Sequence, residues 1–196
     1  MVGKGHGVDA VAAALTITAE RERVEYFERT MAWLAANMPD DVDNRVIHND
    51  YRFDNVILDP ADPMRAIGVL DWEMATVGDP LMDLGNSLAY WVQADDSEEL
   101  QLMRLMPTHL EGALTRRELV ARYAAQSGRR VDDFAFYGAF GLFRLAVIAQ
   151  QIYKRFKEGH TKDPRFAMMI FGVDMLGKQA SRAIERDRIH DLGQPT

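Results

Sequence analysis

A loop crowded with polar groups lies between two short apolar runs in "VIHNDYRFDNVIL", residues 46–58. It holds a histidine, two aspartates, an arginine and two asparagines. A connection that only turned the chain would favour Gly, Pro or Asn-Gly. The flanking runs are rich in β-branched residues, which favours strands. We therefore predict short strands at 45–48, 55–58 and 66–72 that hold a rigid polar loop, with "DPADP" as a turn.

The rest of the chain shows the helical period of apolar residues. The segment 19–38 has such a stripe and Thr18 as a candidate cap, and "VGDP" starts another helix with Asp79 as cap and Pro80 in the first turn. The remaining predicted helices run from Ser97 to Pro107, from the capping box of Thr115 and Glu118 to Gly128, over 132–157, and from Asp163 to Arg188. The predicted fold class is α+β, predominantly helical, with a small β patch that carries the polar loop.

Length and composition predict one domain over residues 18–196, preceded by a flexible segment at 1–17. The chain has no cysteine, which excludes disulfides and thiolate metal sites and fits a cytoplasmic protein. No segment approaches the ~20 apolar residues of a membrane span. Asp9 interrupts the one early apolar stretch, so a secretory leader is not favoured. We expect no membrane partner.

Charge is distributed unevenly along the chain. The net charge is −7, but residues 40–100 carry 15 acids and 3 bases, a local net of −12. This acidic segment contains the polar loop, which argues against a nucleic-acid partner. It suits a divalent metal and also a cationic substrate. For Asp95, Asp96, Glu98 and Glu99 we expect a solvated acidic surface instead.

The spacing within the loop suits phosphoryl transfer. His48, Asp50 and Asn55 form H-x-D-x-x-x-x-N, and Asp71 follows at the end of an apolar run. Asp50 can orient an acceptor hydroxyl and take its proton, while Asn55 and Asp71 can supply oxygen ligands to Mg²⁺. Arg52 can meet the γ-phosphate. Glu73 is a possible contact to substrate or metal, and an exposed salt bridge is an equally good interpretation.

The motifs "HNDYRFDN" and "VLDWEMATVGDPLMDLG" resemble the catalytic loop and metal-binding segment of the aminoglycoside phosphotransferase and choline kinase family. That family has a protein-kinase-like fold, and the run also resembles the phosphotransferase domains fused to acyl-CoA dehydrogenases. The matching motifs cover residues 46–91. The resemblance implies Asp50 as catalytic base, Asn55 and Asp71 as metal ligands, and loop-ordering roles for His48 and Asp83. It also implies ATP with Mg²⁺ and a small hydroxylated acceptor. Asn49 stands where the family often has Gly.

In such kinase-like enzymes an amino-terminal β lobe precedes the catalytic loop and covers the nucleotide phosphates. Residues 1–45 offer no recognisable glycine loop or strand-borne lysine, so we expect a carboxy-terminal lobe without that β lobe. A homodimer or a partner chain would then cover the apolar surface of the strands. Two alternatives stay open: an inactive binding or assembly module that retains the motif, and a metal-dependent phosphohydrolase that uses the same carboxylates.

Overall fold

The computed structural model describes residues 25–40, 43–131 and 134–189. The segment 1–17 and the Thr18 cap lie outside the described residues. The helices are α1 (Glu25–Ala36), α2 (Pro80–Ala89), α3 (Glu98–Gln101), α4 (Arg116–Ser127), α5 (Ala135–Lys157) and α6 (Met169–Arg186). The strands are β1 (Arg45–Ile47), β2 (Val56–Asp59), β3 (Asp62–Val69) and β4 (Thr76–Gly78). This is the predicted α+β, predominantly helical class.

Helix α5 is the centre of the core. Its aromatic residues pack in the same buried cluster as α2 and α6; they are Phe134 at the cap, Phe136, Tyr137, Phe140 and Phe143. By length and composition α5 could cross a membrane, but most of it is buried against neighbouring helices. A fully enclosed helix in a globular core has the same composition, so the apolar length here reflects packing.

The predicted start and end signals of several helices are confirmed. The Asp79 carboxylate accepts a hydrogen bond from Leu81 N–H at 2.8 Å, with Pro80 in the first turn of α2. Thr115 and Glu118 form the expected capping box of α4, which ends at Gly128 with φ = 69°. The segment after Ser97 forms only the short helix α3 and not a helix to Pro107, and residues 164–168 form a 3₁₀ turn before α6.

In the described part of the chain, two small antiparallel sheets take the place of the single predicted β patch. β1 pairs with β4, and β2 pairs with β3 in a hairpin. The predicted strand 66–72 was misplaced, because β3 starts at Asp62 inside the supposed turn and ends at Val69. Pro63 is tolerated there because β3 pairs with β2 alone among the residues that the structure describes. Strand β4 was not predicted. Its three residues carry no period, and only the pairing with β1 makes them a strand.

Helices α2 and α5 pack so closely that two glycines are required at the contact. A Cβ on Gly85 would fall closer than 3.0 Å to the carbonyl of Tyr137, and one on Gly141 would do the same to the carbonyl of Gly85. Both obstacles are main-chain atoms, which cannot rotate aside. The spacing of these helices is thus set by backbone contact.

The expectation of a solvated acidic surface is wrong for Asp96. Its side chain is 2 % exposed and pairs with the Arg116 guanidinium, which is 8 % exposed, at 2.5 and 2.7 Å. Arg116 also donates to the carbonyls of Trp91 and Ile189. Burial of this pair is compatible with folding because nearly every donor finds an acceptor. It ties the start of α4 to the segment after α2 and to the chain beyond α6.

Candidate active site

Asp83, on the first turn of α2, holds the polar loop through two main-chain amides. Its carboxylate accepts hydrogen bonds from His48 N–H at 2.7 Å and from Asn49 N–H at 2.8 Å. Asn49 has φ = 66°, in the left-handed region that favours glycine, and asparagine is the residue that tolerates it best after glycine. Its side chain is fixed too, accepting from Asn86 and donating to the Met74 carbonyl.

The buried His48 ring connects the loop to the strand that precedes Asp71. Its Nδ1 accepts from Asp50 N–H at 3.2 Å, which leaves the proton on Nε2 to be donated to the Leu70 carbonyl at 2.7 Å. This tautomer is assigned from the hydrogen bonds. Neutral His48 therefore joins the main chain of Asp50 to the residue that precedes Asp71.

Asp71 is placed beside the loop by its two neighbours. Leu70 donates its N–H to the Asn55 carbonyl at 2.8 Å, in addition to its contact with His48. The Trp72 ring lies 4.7 Å from the His48 ring, centroid to centroid. Asp71 itself adopts φ = 64°, again left-handed, and its side chain is exposed. Such a conformation in an aspartate is retained only where the surroundings hold it.

Three side chains of the described residues contact the Asp50 carboxylate, and the Asp50 side chain is 16 % exposed. Asn55 donates from Nδ2 to both the Asp50 main-chain oxygen at 2.8 Å and to Oδ2 at 3.2 Å. Tyr90, at the end of α2, donates to Oδ1 at 3.3 Å. Burial, and then the charge of Asp50, raises the pKa of Tyr90, so the phenol keeps its proton.

Arg52 folds back over the same carboxylate. Its Nε lies 3.4 Å from Asp50 Oδ2, its Nη1 lies 3.4 Å from Asp54 Oδ2, and its guanidinium stacks 5.2 Å from the Tyr90 ring centroid. These long contacts leave it able to turn towards a phosphate. Glu73 is exposed and forms no ion pair with any residue that the structure describes, so the salt-bridge interpretation finds no partner there.

The oxygen donors fit Mg²⁺ in part. The Nδ2 of buried Asn55 is already used by Asp50, which leaves Oδ1 for a cation, and the exposed Asp71 carboxylate is the second candidate ligand. Within residues 25–40, 43–131 and 134–189 no cluster of three or more His, Cys, Asp or Glu could hold a metal. Mg²⁺ commonly binds one or two protein oxygens and completes its shell with phosphates and water. This donor set suits that mode.

Sequence reasoning missed the residues that reach the loop from distant helices. Tyr90 and Asn86 come from α2, and Arg144 comes from α5, where its Nη2 contacts the Met74 sulfur at 3.7 Å. Arg144 carries no local signal, because a polar residue on one face of a helix usually faces solvent. For Asn86 and Tyr90 the one signal is their spacing of four, which places them on a shared face at the end of α2.

A cavity of about 410 Å³ adjoins the loop on the side of α4. Its mainly apolar wall includes Tyr51, Phe53, Leu84, Trp91, Leu119 and Tyr123. Arg52 and Asp83 also line it, so the cavity borders the loop that carries Asp50.

Comparison with known proteins decides the family. A sequence profile of the phosphotransferase enzyme family matches residues 7–136, which is more than half of the chain. The chain belongs to this phosphotransferase family. His48, Asp50, Asn55, Asp71 and Asp83 all fall inside the matched segment. The interpretation of the motifs as those of a phosphotransferase is confirmed at the level of the family.

Relatives of this phosphotransferase are parts of much longer proteins. The chain is 34 % identical over 139 residues to acyl-CoA dehydrogenase family member 10 of Mus musculus, covering 70 % of the chain and 13 % of that protein. It is 33 % identical over 179 residues to family member 11 of Pongo abelii, covering 84 % and 22 %. The probable acyl-CoA dehydrogenase IBR3 of Arabidopsis thaliana is 31 % identical, covering 75 % and 19 %. The phosphotransferase chain thus spans about a fifth or less of these relatives.

The fold agrees. A crystal structure from Ralstonia eutropha JMP134, assigned to the aminoglycoside phosphotransferases, superposes with a TM-score of 0.77 at 23 % identity. The match covers 91 % of this chain and 54 % of that one. At this identity the likeness establishes the fold, which is kinase-like and predominantly helical. It says nothing by itself about the acceptor.

Proposed function

We propose that this chain is the catalytic lobe of a Mg²⁺-dependent phosphotransferase that moves a phosphoryl group from ATP to a hydroxyl of a small acceptor. The observation that carries the proposal is the double attachment of Leu70. Its N–H is bonded to Asn55 and its carbonyl to His48, so Asp71 is held next to the loop that carries Asp50. In this proposal Asn55 and Asp71 supply the two oxygen ligands, and Asp50 supplies the base.

Asp50 is assigned as the general base. Asn55 and Tyr90 fix both of its oxygens, and a carboxylate fixed in this way can accept the proton of an aligned hydroxyl. Mg²⁺, held by Asn55 Oδ1 and the Asp71 carboxylate, would neutralise charge on the transferred phosphate. Arg52 would leave its long contacts with Asp50 and Asp54 to bind the γ-phosphate. His48 and Asp83 hold the main chain of the loop in place through their hydrogen bonds.

The test is transfer from Mg-ATP to a panel of small alcohols, followed by ³¹P NMR. Asp50→Asn should lower turnover by about 10²–10⁴-fold, the usual contribution of a positioned base, with the fold unchanged. Asp54→Asn is the matched control, because its exposed carboxylate also contacts Arg52. Equal turnover in wild type and Asp50→Asn would refute the assigned role. ADP release that does not require an alcohol would favour the phosphohydrolase.

Nucleotide binding to this chain should be weak and made through the phosphates and the metal. The described residues include no strand-borne lysine, since the strands Arg45–Ile47, Val56–Asp59, Asp62–Val69 and Thr76–Gly78 contain none. Calorimetry with Mg-ATP measures this directly. Tight binding would mean that another part of the chain supplies a nucleotide site.

The binding or assembly module remains a second candidate because of one observation. Large apolar side chains on the β2–β3 hairpin are exposed, among them Leu58, Met64 and Ile67. Such a surface is unusual on a soluble monomer and fits an interface with a second copy of the chain.

A further inference from the structure

Asn49 joins helix α2 to the short turn that follows Asp71. Its main-chain N–H is bonded to Asp83 Oδ1 at 2.8 Å, and its side-chain Oδ1 accepts a hydrogen bond from Asn86 Nδ2 at 3.1 Å. Its side-chain Nδ2 donates to the Met74 carbonyl at 3.0 Å. A carbonyl can only accept, so the amide of Asn49 must present its nitrogen on that side. One end of this side chain thus faces the helix and the other faces the turn.

The main-chain conformation of Asn49 indicates that its side chain has a use. With φ = 66° the residue lies in the left-handed region, which glycine adopts without steric cost and asparagine adopts at a small one. A glycine at this position could still donate its N–H to Asp83, but it would lack both side-chain hydrogen bonds. Asparagine therefore adds a connection between Asn86 on α2 and Met74 in the turn.

Asp71 lies between two main-chain attachments to the polar loop. Before it, Leu70 is bonded through its N–H to Asn55 and through its carbonyl to His48. After it, in the 3₁₀ turn Trp72–Met74, the Met74 carbonyl is bonded to the side chain of Asn49. The left-handed conformation of Asp71, with φ = 64°, is therefore held from both sides.

From these contacts we propose that Asn49 is a positioning residue for the divalent cation of the site. The inference rests on the proposed function, in which Asp71 is a metal ligand, and deepens it by naming a residue that holds this ligand in place. Asn49 acts through Met74, three residues after Asp71. A ligand that is already held in its binding conformation loses less conformational freedom when the cation binds, so the cation binds more tightly.

The first measurement determines whether Asn49 holds the turn. The Ala75 N–H closes this turn on the Trp72 carbonyl at 2.9 Å, and its exchange with solvent is followed by NMR in the wild type and in Asn49→Gly. Glycine suits the left-handed main chain, so the fold should be retained, and circular dichroism verifies this. The matched control is Asp187→Gly, which removes an exposed side chain at φ = 51° at the end of α6.

We expect exchange at Ala75 to be about 2- to 10-fold faster in Asn49→Gly, the factor that one hydrogen bond of ordinary net strength supplies. Asp187→Gly should leave the rate unchanged. Equal rates at Ala75 in the wild type and in Asn49→Gly would overturn the inference, because the turn would then be held without Asn49.

The second measurement is cation binding, which does not depend on turnover. Mn²⁺ is titrated into the chain in the presence of ADP, and free Mn²⁺ is counted by electron paramagnetic resonance. Asp71→Asn identifies the site, since only Mn²⁺ whose binding it weakens is counted as bound there. Asn49→Gly should weaken this binding by about 2- to 10-fold, again the factor of one hydrogen bond, and Asp187→Gly should not change it.

The remaining outcomes separate the inference from the proposed function. Faster exchange at Ala75 with unchanged Mn²⁺ affinity in Asn49→Gly refutes the inference alone, because Asn49 then has only a structural role. If Asp71→Asn does not weaken Mn²⁺ binding, the metal assignment of the proposed function fails, and the inference fails with it.

Discussion

Asp83 accepts a hydrogen bond at 2.8 Å from the main-chain N–H of Asn49, 34 positions earlier in the chain. The same carboxylate accepts a hydrogen bond from His48 N–H, so one side chain on α2 fixes the main chain immediately before Asp50. Asp83→Ala should leave both amides without an acceptor. We expect it to cost about 1–3 kcal/mol for each part-buried amide left unpaired, measured by urea denaturation.

Glu111→Gln is the control for Asp83→Ala, because Glu111 is exposed and its removal should change the free energy of unfolding very little. A similar loss of stability in both variants would mean that Asp83 acts only through general charge.

The assignment of Asp71 can be tested through metal dependence. Replacing even the partners of a metal ligand commonly lowers affinity by about 10–100-fold, so Asp71→Asn should raise the Mg²⁺ concentration required for half-maximal transfer at least tenfold. Glu73→Gln should shift that concentration much less. A Glu73→Gln variant with the larger shift would assign the metal ligand to Glu73 instead.

The buried pair of Arg116 and Asp96 should be essential for stability. Arg116→Met leaves Asp96 buried without its counter-ion, and we expect a loss of about 3–5 kcal/mol in the free energy of unfolding. The double variant Arg116→Met/Asp96→Leu should recover much of this. Arg117→Met, at an exposed neighbouring position, serves as control. If the double variant is no more stable than Arg116→Met, the lost bonds to Trp91 and Ile189 carry most of the energy.

The contribution of Tyr90 to stability should depend on pH only at high pH. Its pKa is raised above the ordinary value of 10.0. Because the folded state holds this proton more firmly than the unfolded state, the contribution of Tyr90 is constant below pH 10.0 and is lost as pH rises through the raised pKa. The difference in unfolding free energy between wild type and Tyr90→Phe should therefore be constant up to pH 10.0 and decrease at higher pH. A difference that changes near neutral pH would contradict this.

The exposed hairpin should make the chain self-associate. Light scattering at tens of micromolar is expected to give a dimer, and charging the surface with Leu58→Lys and Ile67→Lys should give a monomer. Leu102→Lys is the control, since Leu102 is equally apolar and is 88 % exposed outside the hairpin. A wild-type monomer under these conditions would exclude the dimer.

Local chemistry made much of the fold predictable. Helix α2 is indicated by a cap and by a helical period of apolar residues, both of which depend only on residues close together in the sequence; they are Asp79, Pro80, Leu81, Leu84 and Leu88. β4 could not be predicted, because its three residues are a strand only through their pairing with β1. The start of β3 was missed because Asp62 and Pro63 are turn residues in most contexts.

The candidate site likewise has residues that the sequence indicates and residues that only the folded structure brings in. His48, Asp50, Asn55 and Asp71 lie within one short stretch, and the spacing alone suggests that they act together. Tyr90 contacts Asp50 and Arg144 contacts Met74 only after α2 and α5 have packed, and their positions depend on contacts that no local pattern encodes. Asn49 shows how a departure from a family pattern can be understood. At φ = 66° it occupies a conformation that glycine permits and asparagine tolerates.

The glycine contact between α2 and α5 has a consequence for how the site can evolve. Asp83, Asn86 and Tyr90 lie on or at the end of α2 and bond to Asn49 and Asp50, so a change in the distance between α2 and α5 displaces the groups that hold the loop. A single methyl group at Gly85 or Gly141 would push the helices apart and misalign Asp50 without touching it. The mutational tolerance of the candidate site is therefore limited by two positions that bear no functional group at all.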